Sequence, residues 1–183
     1  MLNRLLSLIM LLLLSPIFLM VALLIFFEDG FPVFFKQNRV GVNYTFFNIY
    51  KFRSMKKNTP NVATHLLNNP EQYVLKIGRL LRKLSFDELP NLINIVKGEM
   101  VFVGPRPALY NQDDLMALRV AAGVHILKPG ITGWAQINGR DELSLEAKVA
   151  YEKEYLDRKS FLFDLKILAL TFTRVLGSKG VTH

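Results

Sequence analysis

Apolar residues fall into three patterns along this chain. From Leu5 to Phe27 they are almost continuous (LLSLIMLLLLSPIFLMVALLIFF), with no charged residue among them. Such a run predicts a helix of about 35 Å, enough to cross a bilayer core. From Phe31 to Phe52 the residues are largely β-branched and aromatic, broken at Gly41-Val42-Asn43. That pattern predicts a two-stranded hairpin. From Pro70 the spacing becomes three and four residues. Ile77, Leu80, Leu81 and Leu84 form one set; Leu89, Leu92, Ile93 and Val96 form a second, closed by Lys97-Gly98. Both sets predict helices. Ser144 opens a further helix through Tyr155, and Ser160 another through Leu176, whose wide apolar face suits either the core or a membrane interface. The stretch from Asn58 to Asn69 reads as loop. With no repeat and no linker, the chain divides into a membrane segment, 1–29, and one globular unit, 30–183.

The membrane segment is no cleaved signal peptide: it is too long, and no small-residue cleavage site follows it. Ser15-Pro16 sits at its middle, where a proline predicts a kink. Each half spans roughly 17 Å, too short to cross alone. Two arrangements fit: a helix broken at Ser15-Pro16 that enters and leaves by one face, or a transmembrane helix with a tolerated proline. Only Arg4 is charged ahead of the run, and far more Lys and Arg follow it, so both place the globular part on the cytoplasmic side.

Charge adds a second theme. Lys and Arg total 23 against 15 acidic residues, a net charge of +8, although 51% of the chain is hydrophobic. That hydrophobicity excludes a disordered chain. The lack of cysteine excludes a disulfide scaffold, a thiolate metal site and a cysteine nucleophile. His65, His125 and His183 match no metal-ligand spacing. A basic, apolar chain points to acidic partners together with lipid contact. Lys36, Arg39, Lys51, Arg53, Lys56 and Lys57 lie in a segment from Gly30 to Pro70 without Asp or Glu. They suit anionic lipid headgroups or substrate phosphates.

Within this basic setting stands one acidic pair, Asp87-Glu88, in the expected first turn of a helix. Ser85-x-x-Glu88 matches a capping box, and Pro90 is tolerated in a first turn. The same position also suits chemistry. A helix N-terminus beside Arg79, Arg82 and Lys83 favours an ionised carboxylate and attracts phosphate. An ionised Asp87 can attack phosphorus, and Glu88 can hold Mg²⁺ together with substrate phosphate oxygens. Val103-Gly104-Pro105-Arg106-Pro107 stiffens the backbone around one arginine, as bidentate phosphate contact requires. Lys128 to Arg140 (KPGITGWAQINGR) can wrap an anion and stack a base or sugar on Trp134, or serve as a turn with Trp134 as a core anchor. No P-loop and no GxGxxG occur.

IYKFRSM (49–55), LRKLSFDELPNLINIVKGEM (81–100), VGPRPALYNQ (103–112) and KPGITGWAQINGR (128–140) closely resemble the bacterial sugar transferase family, the monotopic polyprenyl-phosphate phosphoglycosyl transferases. The likeness runs over nearly the whole chain and suggests the minimal, single-domain form. It implies an α+β fold, mainly helical, with a re-entrant membrane helix broken at Ser15-Pro16, a basic hairpin, and a small cytoplasmic domain with interfacial helices. Members commonly carry an acidic residue near the start of the re-entrant helix, where this chain has Asn3.

The resemblance also implies a reaction: transfer of a sugar-1-phosphate from a UDP-sugar to undecaprenyl phosphate, with release of UMP. This is the first membrane step of capsule, O-antigen or exopolysaccharide synthesis. By motif, Asp87 is the nucleophile, forming a phosphosugar-aspartate, and Glu88 positions Mg²⁺ with it. Arg82 and Arg106 hold phosphate; Lys51, Arg53, Gln136 and Arg140 belong to the same motifs. The partners implied are the UDP-sugar, undecaprenyl phosphate and membrane phospholipid, with no nucleic acid; a homo-oligomer is left open. The location is the bacterial inner membrane, facing the cytoplasm. NTPNVATHLL, GPRPALYNQ and the ending GVTH point to a capsular pathway and an N-acetylated deoxyhexose such as N-acetylfucosamine. A rival from another class is a membrane-tethered basic protein that binds anionic lipid or nucleic acid without catalysis. An aspartyl phosphatase is excluded by the missing DxD motif.

Overall fold

Pro16 does not interrupt the N-terminal helix. In the computed structural model of the chain, described over residues 1–60, 69–139 and 142–176, Leu2–Asp29 (α1) is one α-helix with Pro16 inside it. Proline leaves the carbonyl of Leu12, four residues back, without its usual N–H donor. The Ser15 hydroxyl supplies a replacement, donating to Leu12 O at 2.8 Å. The two half-helices expected at Ser15-Pro16 are therefore one helix.

The apolar run of α1 is long enough to cross a membrane, yet it has two faces. Ser7, Val21 and Ile25 are buried, and Met10, Leu11, Leu14, Ile17 and Phe18 pack beside them at helical spacing. Leu5, Leu12, Leu13, Leu19 and Phe27 stay exposed. The buried face meets Asn91–Lys97 (α3), where Ser7 Oγ donates to Leu92 O at 2.8 Å. Both ends of α1 are tied to the same body. At the start, Asn3 Oδ1 accepts from the Phe102 amide at 3.4 Å and Arg4 Nη2 donates to Lys97 O at 3.3 Å. At the end, Glu28 accepts from the amides of Lys76 and Ile77 at 2.6 and 3.1 Å. Those amides open Lys76–Lys83 (α2), so Glu28 caps that helix from outside it.

Phe34–Val40 (β1) and Phe46–Phe52 (β2) pair antiparallel, Phe34 opposite Phe52 and Val40 opposite Phe46. Ala108–Leu109 (β4) adds to the free edge of β1. Val101–Val103 (β3) and Gly130–Thr132 (β5) form a separate parallel pair. Alternation along β2 sends Phe47 and Ile49 into a cluster with Leu92, Ile95 and Met100. Around these sheets lie Asp113–Ala121 (α4), Trp134–Ile137 (α5), Leu145–Arg158 (α6) and Phe161–Leu176 (α7). The result is a mixed α and β fold, mainly helical. Ser144 caps α6 by accepting from the Ala147 amide at 3.2 Å, and Ser160 accepts from Phe163 at 3.2 Å. α7 buries Phe163 and Ile167 and exposes Phe161, Leu162, Leu165 and Phe172.

Two local readings change. The capping box at Ser85 does not form. Ser85 is left-handed (φ 55°) with no side-chain capping bond, and Phe86–Glu88 is a 3₁₀ turn that precedes α3 rather than its first α-helical turn. The glycines of KPGITG serve close backbone approach. A Cβ on Gly130 would lie 2.1 Å from Gly104 N, and one on Gly133 would lie 2.2 Å from Gly104 O. The segment thus lies against the Gly104 loop.

Candidate active site

Three pieces of backbone meet at the acidic pair. Strand β2 brings Lys51, in phase with the inward-facing Phe47 and Ile49. The 3₁₀ turn brings Asp87 and Glu88, and the rigid Gly104-Pro105-Arg106-Pro107 loop brings Arg106. Lys51 Nζ donates to Glu88 Oε1 at 2.7 Å, and Arg106 Nη1 lies 3.5 Å from the same oxygen. All three side chains are largely withdrawn from solvent without being sealed from it. They line a shallow, open depression with Arg39, Asn91 and Ile131.

Asp87 is buried, at 8% exposure. Burial raises its carboxyl pKa above the ordinary 3.8; the charges of Lys51 and Arg82 oppose this, and the adjacent Glu88 adds to it. A helix terminus and the cations beside it favour the ionised group; burial opposes them and shifts the carboxyl upward. Arg82 stands on the last turn of α2, where Nε donates to Ser54 Oγ at 3.2 Å. From there its charge reaches Asp87.

The remaining expected residues are placed differently. Arg53 is a tie to α1: its Nη2 donates to the carbonyls of Asp29 and Gly30 at 3.0 and 2.7 Å, and pairs with the Asp29 carboxylate at 3.2 Å. Its Nε and Nη1 are buried without a hydrogen-bond partner. Alternation alone would keep Lys51 and Arg53 on one face, but Arg53 lies one residue past the end of β2, where it reaches the end of α1. Gln136 donates from Nε2 to Ile131 O at 3.1 Å on α5 and does not line the depression. Trp134 is a core anchor: Nε1 donates to Glu154 at 2.7 Å, and its ring lies 5.1 Å from that of Phe163. Arg140 lies outside the described residues.

Sequence reading missed Asn91 and Arg119. Asn91 is 4% exposed and lines the depression, and its Oδ1 has no hydrogen-bond partner. The signal was its spacing, four residues after Asp87 and three after Glu88, which places the three on one side of a helical turn. Arg119 carried no signal, because nothing in the sequence links it to the loop it reaches.

Among the described residues no group of three or more His, Cys, Asp or Glu could hold a metal ion alone. The donors that line the depression, the Glu88 carboxylate and the unsatisfied Asn91 Oδ1, are oxygens, and Asp87 adjoins Glu88 in the chain. This oxygen set fits Mg²⁺, which binds through one or two carboxylates and substrate phosphates.

The family profile described as bacterial sugar transferase matches residues 1–178. The sugar transferase EpsL of Bacillus subtilis (strain 168) is 46% identical over 91% of this chain and 81% of its own length. A UDP-glucose:undecaprenyl-phosphate glucose-1-phosphate transferase of Escherichia coli (strain K12) is 40% identical over 93% of this chain, which covers 38% of that longer protein. A UDP-N-acetylgalactosamine-undecaprenyl-phosphate N-acetylgalactosaminephosphotransferase of Aeromonas hydrophila is 35% identical over 91% of this chain and 40% of its own length. With a profile match over nearly its whole length and relatives of this similarity, the chain belongs to the bacterial sugar transferase family.

Proposed function

We propose that this protein transfers a sugar-1-phosphate from a UDP-sugar to undecaprenyl phosphate and releases UMP. The observation that carries the reading is the buried Asp87 beside Glu88, with Lys51, Arg82 and Arg106 around the pair. The names of the relatives from Escherichia coli and Aeromonas hydrophila, which include both donor and acceptor, support it.

The donor diphosphate lies over the depression, its charge met by Lys51 and Arg106. A carboxylate oxygen of Asp87 attacks the phosphorus next to the sugar. The bond from that phosphorus to the bridging oxygen breaks, and UMP leaves with the electron pair. An oxygen of the lipid phosphate then attacks the same phosphorus and expels the Asp87 carboxylate. Each step replaces one bond to phosphorus by another, so the protein's task is positioning and charge neutralisation. Burial of Asp87 suits this: a desolvated carboxylate is a stronger nucleophile once the cations hold it ionised. Glu88 and Asp87, with Asn91 Oδ1, would hold Mg²⁺. The ion would neutralise phosphate charge as the bond to the leaving UMP breaks.

The site sits at the membrane surface. The bonds from both ends of α1 to one globular body support a reading in which both ends lie on one side of the bilayer. We place α1 in the cytoplasmic leaflet of the inner membrane as a re-entrant, non-crossing element, with its exposed leucines in lipid and the outer face of α7 at the interface. The relatives' names cover glucose and N-acetylgalactosamine; the motif likeness makes N-acetylfucosamine a further donor sugar to include in the test. The test is a panel of UDP-sugars, with and without polyprenyl phosphate, read as UMP release. Turnover with one donor supports the reading. Retention of anionic vesicles without UMP release from any donor would favour the membrane-tethered binding protein instead.

A further inference from the structure

The structure assigns Arg119 a positioning role: with Glu152, it holds the backbone carbonyl of Arg106 and so aims the Arg106 guanidinium at Glu88 and the donor phosphates. The inference rests on the reading of the site as a phosphoglycosyl transferase.

Arg119 on α4 and Glu152 on α6 form a buried ion pair, with side-chain exposures of 6% and 2%. Arg119 Nε donates to Glu152 Oε2 at 2.8 Å, and Nη2 donates to Oε1. A buried ion pair pays for its desolvation, and apolar side chains of similar volume often serve stability as well. The pair has a further contact that apolar residues could not make. Arg119 Nη2 also donates to Arg106 O at 2.8 Å.

The loop it reaches can be held mainly by its carbonyls, because Pro105 and Pro107 have no N–H to donate. Those carbonyls are held in succession. Pro105 O accepts from Gly130 N at 2.9 Å, Arg106 O from Arg119, and Pro107 O from Arg39 Nη1 at 3.1 Å. Before them, Gly104 N donates to Thr132 O at 2.8 Å, and the Tyr155 hydroxyl faces Val103 O at 3.1 Å. Arg119 grips the residue whose side chain does the work. It fixes the main chain of Arg106, while the guanidinium of Arg106 lies 3.5 Å from Glu88. Only a planar fork can bond both oxygens of Glu152 and a carbonyl together; a lysine ammonium is a point charge that lacks this geometry. α4 and α6 thus act on the site at one remove.

The test is a mutant cycle on the purified, membrane-reconstituted full chain. Arg119→Lys should keep the fold by circular dichroism and slow UMP release roughly 10- to 100-fold, the scale of a misplaced catalytic group. In an Arg106→Ala background the same change should alter the residual rate by less than about twofold, because the residue it positions is gone. An equal fold-loss in both backgrounds, or full activity of Arg119→Lys, overturns the inference. If Arg119→Lys does not fold, Glu152→Gln passes through the same cycle with the same expected outcomes. Hydrogen exchange provides a readout free of catalysis: Arg119→Lys should speed exchange of the peptide spanning 101–110 and leave α1 and α3 unchanged. If the wild type releases no UMP from any donor, the functional reading falls, and exchange alone decides whether Arg119 holds the loop. Unchanged exchange at 101–110 then refutes it.

Discussion

Replacing Tyr155 with phenylalanine tests the strap that fixes β3 ahead of the Arg106 loop. Tyr155 is 1% exposed on α6, and its ring stacks on Phe163. Its hydroxyl donates to Asp164 at 2.8 Å and faces Val103 O at 3.1 Å. Burial, and then the bond to Asp164, push the phenol pKa well above its ordinary range, so the group stays a neutral donor. Phenylalanine keeps the ring and its packing and removes only the hydroxyl. A hydrogen bond to a charged acceptor contributes about 1.5–3 kcal/mol. Asp164 is half-buried, so water restores part of the loss, and the expected cost is about 1.5–2 kcal/mol. For a chain of this size each kcal/mol moves Tm by about 2–4 °C, so the expected drop is roughly 3–8 °C. The assay is thermal unfolding by near-UV circular dichroism at neutral pH, in one fixed detergent for both proteins. An unchanged Tm would refute the reasoning, since it would mean that the hydroxyl holds nothing in the native state.

Three further outcomes follow from the charges at the site. Lys51 is the strongest influence opposing burial at Asp87, so Lys51→Met should raise the Asp87 pKa further and move the acid limb of the pH–rate profile for UMP release to higher pH; a limb that stays or moves down contradicts this. Because the folded pKa of Asp87 lies above 3.8, the stability linked to this group is present at low pH and lost as pH rises through the folded value. Asp87→Asn should therefore melt at or above the wild-type temperature at neutral pH, with no such advantage below pH 3.8, and a lower neutral-pH Tm counts against it. Glu88→Gln should lose most activity and need more Mg²⁺ for the remainder, because an amide is a weaker ligand for a hard cation. Full activity at unchanged Mg²⁺ would remove Glu88 from metal binding.

Periodicity and serine caps made most helices legible: α1, α3, α6 and α7 lie close to where the spacing of Leu, Ile and Phe puts them. The short strands were not, because Val101–Val103, Ala108–Leu109 and Gly130–Thr132 offer too few residues for alternation to show. The 3₁₀ turn at Phe86–Glu88 was hidden by a capping motif that its backbone does not use, since left-handed Ser85 points the chain elsewhere. At the site, motifs located Asp87, Glu88, Lys51 and Arg106, which the fold brings together. They could not separate Lys51 from Arg53, because only the contacts of Arg53 with Asp29 and Gly30 show that it ties down the helix end. Arg119 lay beyond sequence reading altogether: its contact is with a backbone carbonyl, and backbone carbonyls carry no sequence signal.

In the proposed reaction Asp87 carries the sugar phosphate. Intact-protein mass spectrometry after incubation with the cognate UDP-sugar and Mg²⁺, without lipid acceptor, tests it most directly. Wild type should gain the mass of one sugar phosphate, mapped to the peptide containing Asp87, and release about one UMP per enzyme, while Asp87→Asn should do neither. This role of Asp87 is contradicted if Asp87→Asn turns over with acceptor present, or if wild type turns over and no adduct forms at Asp87.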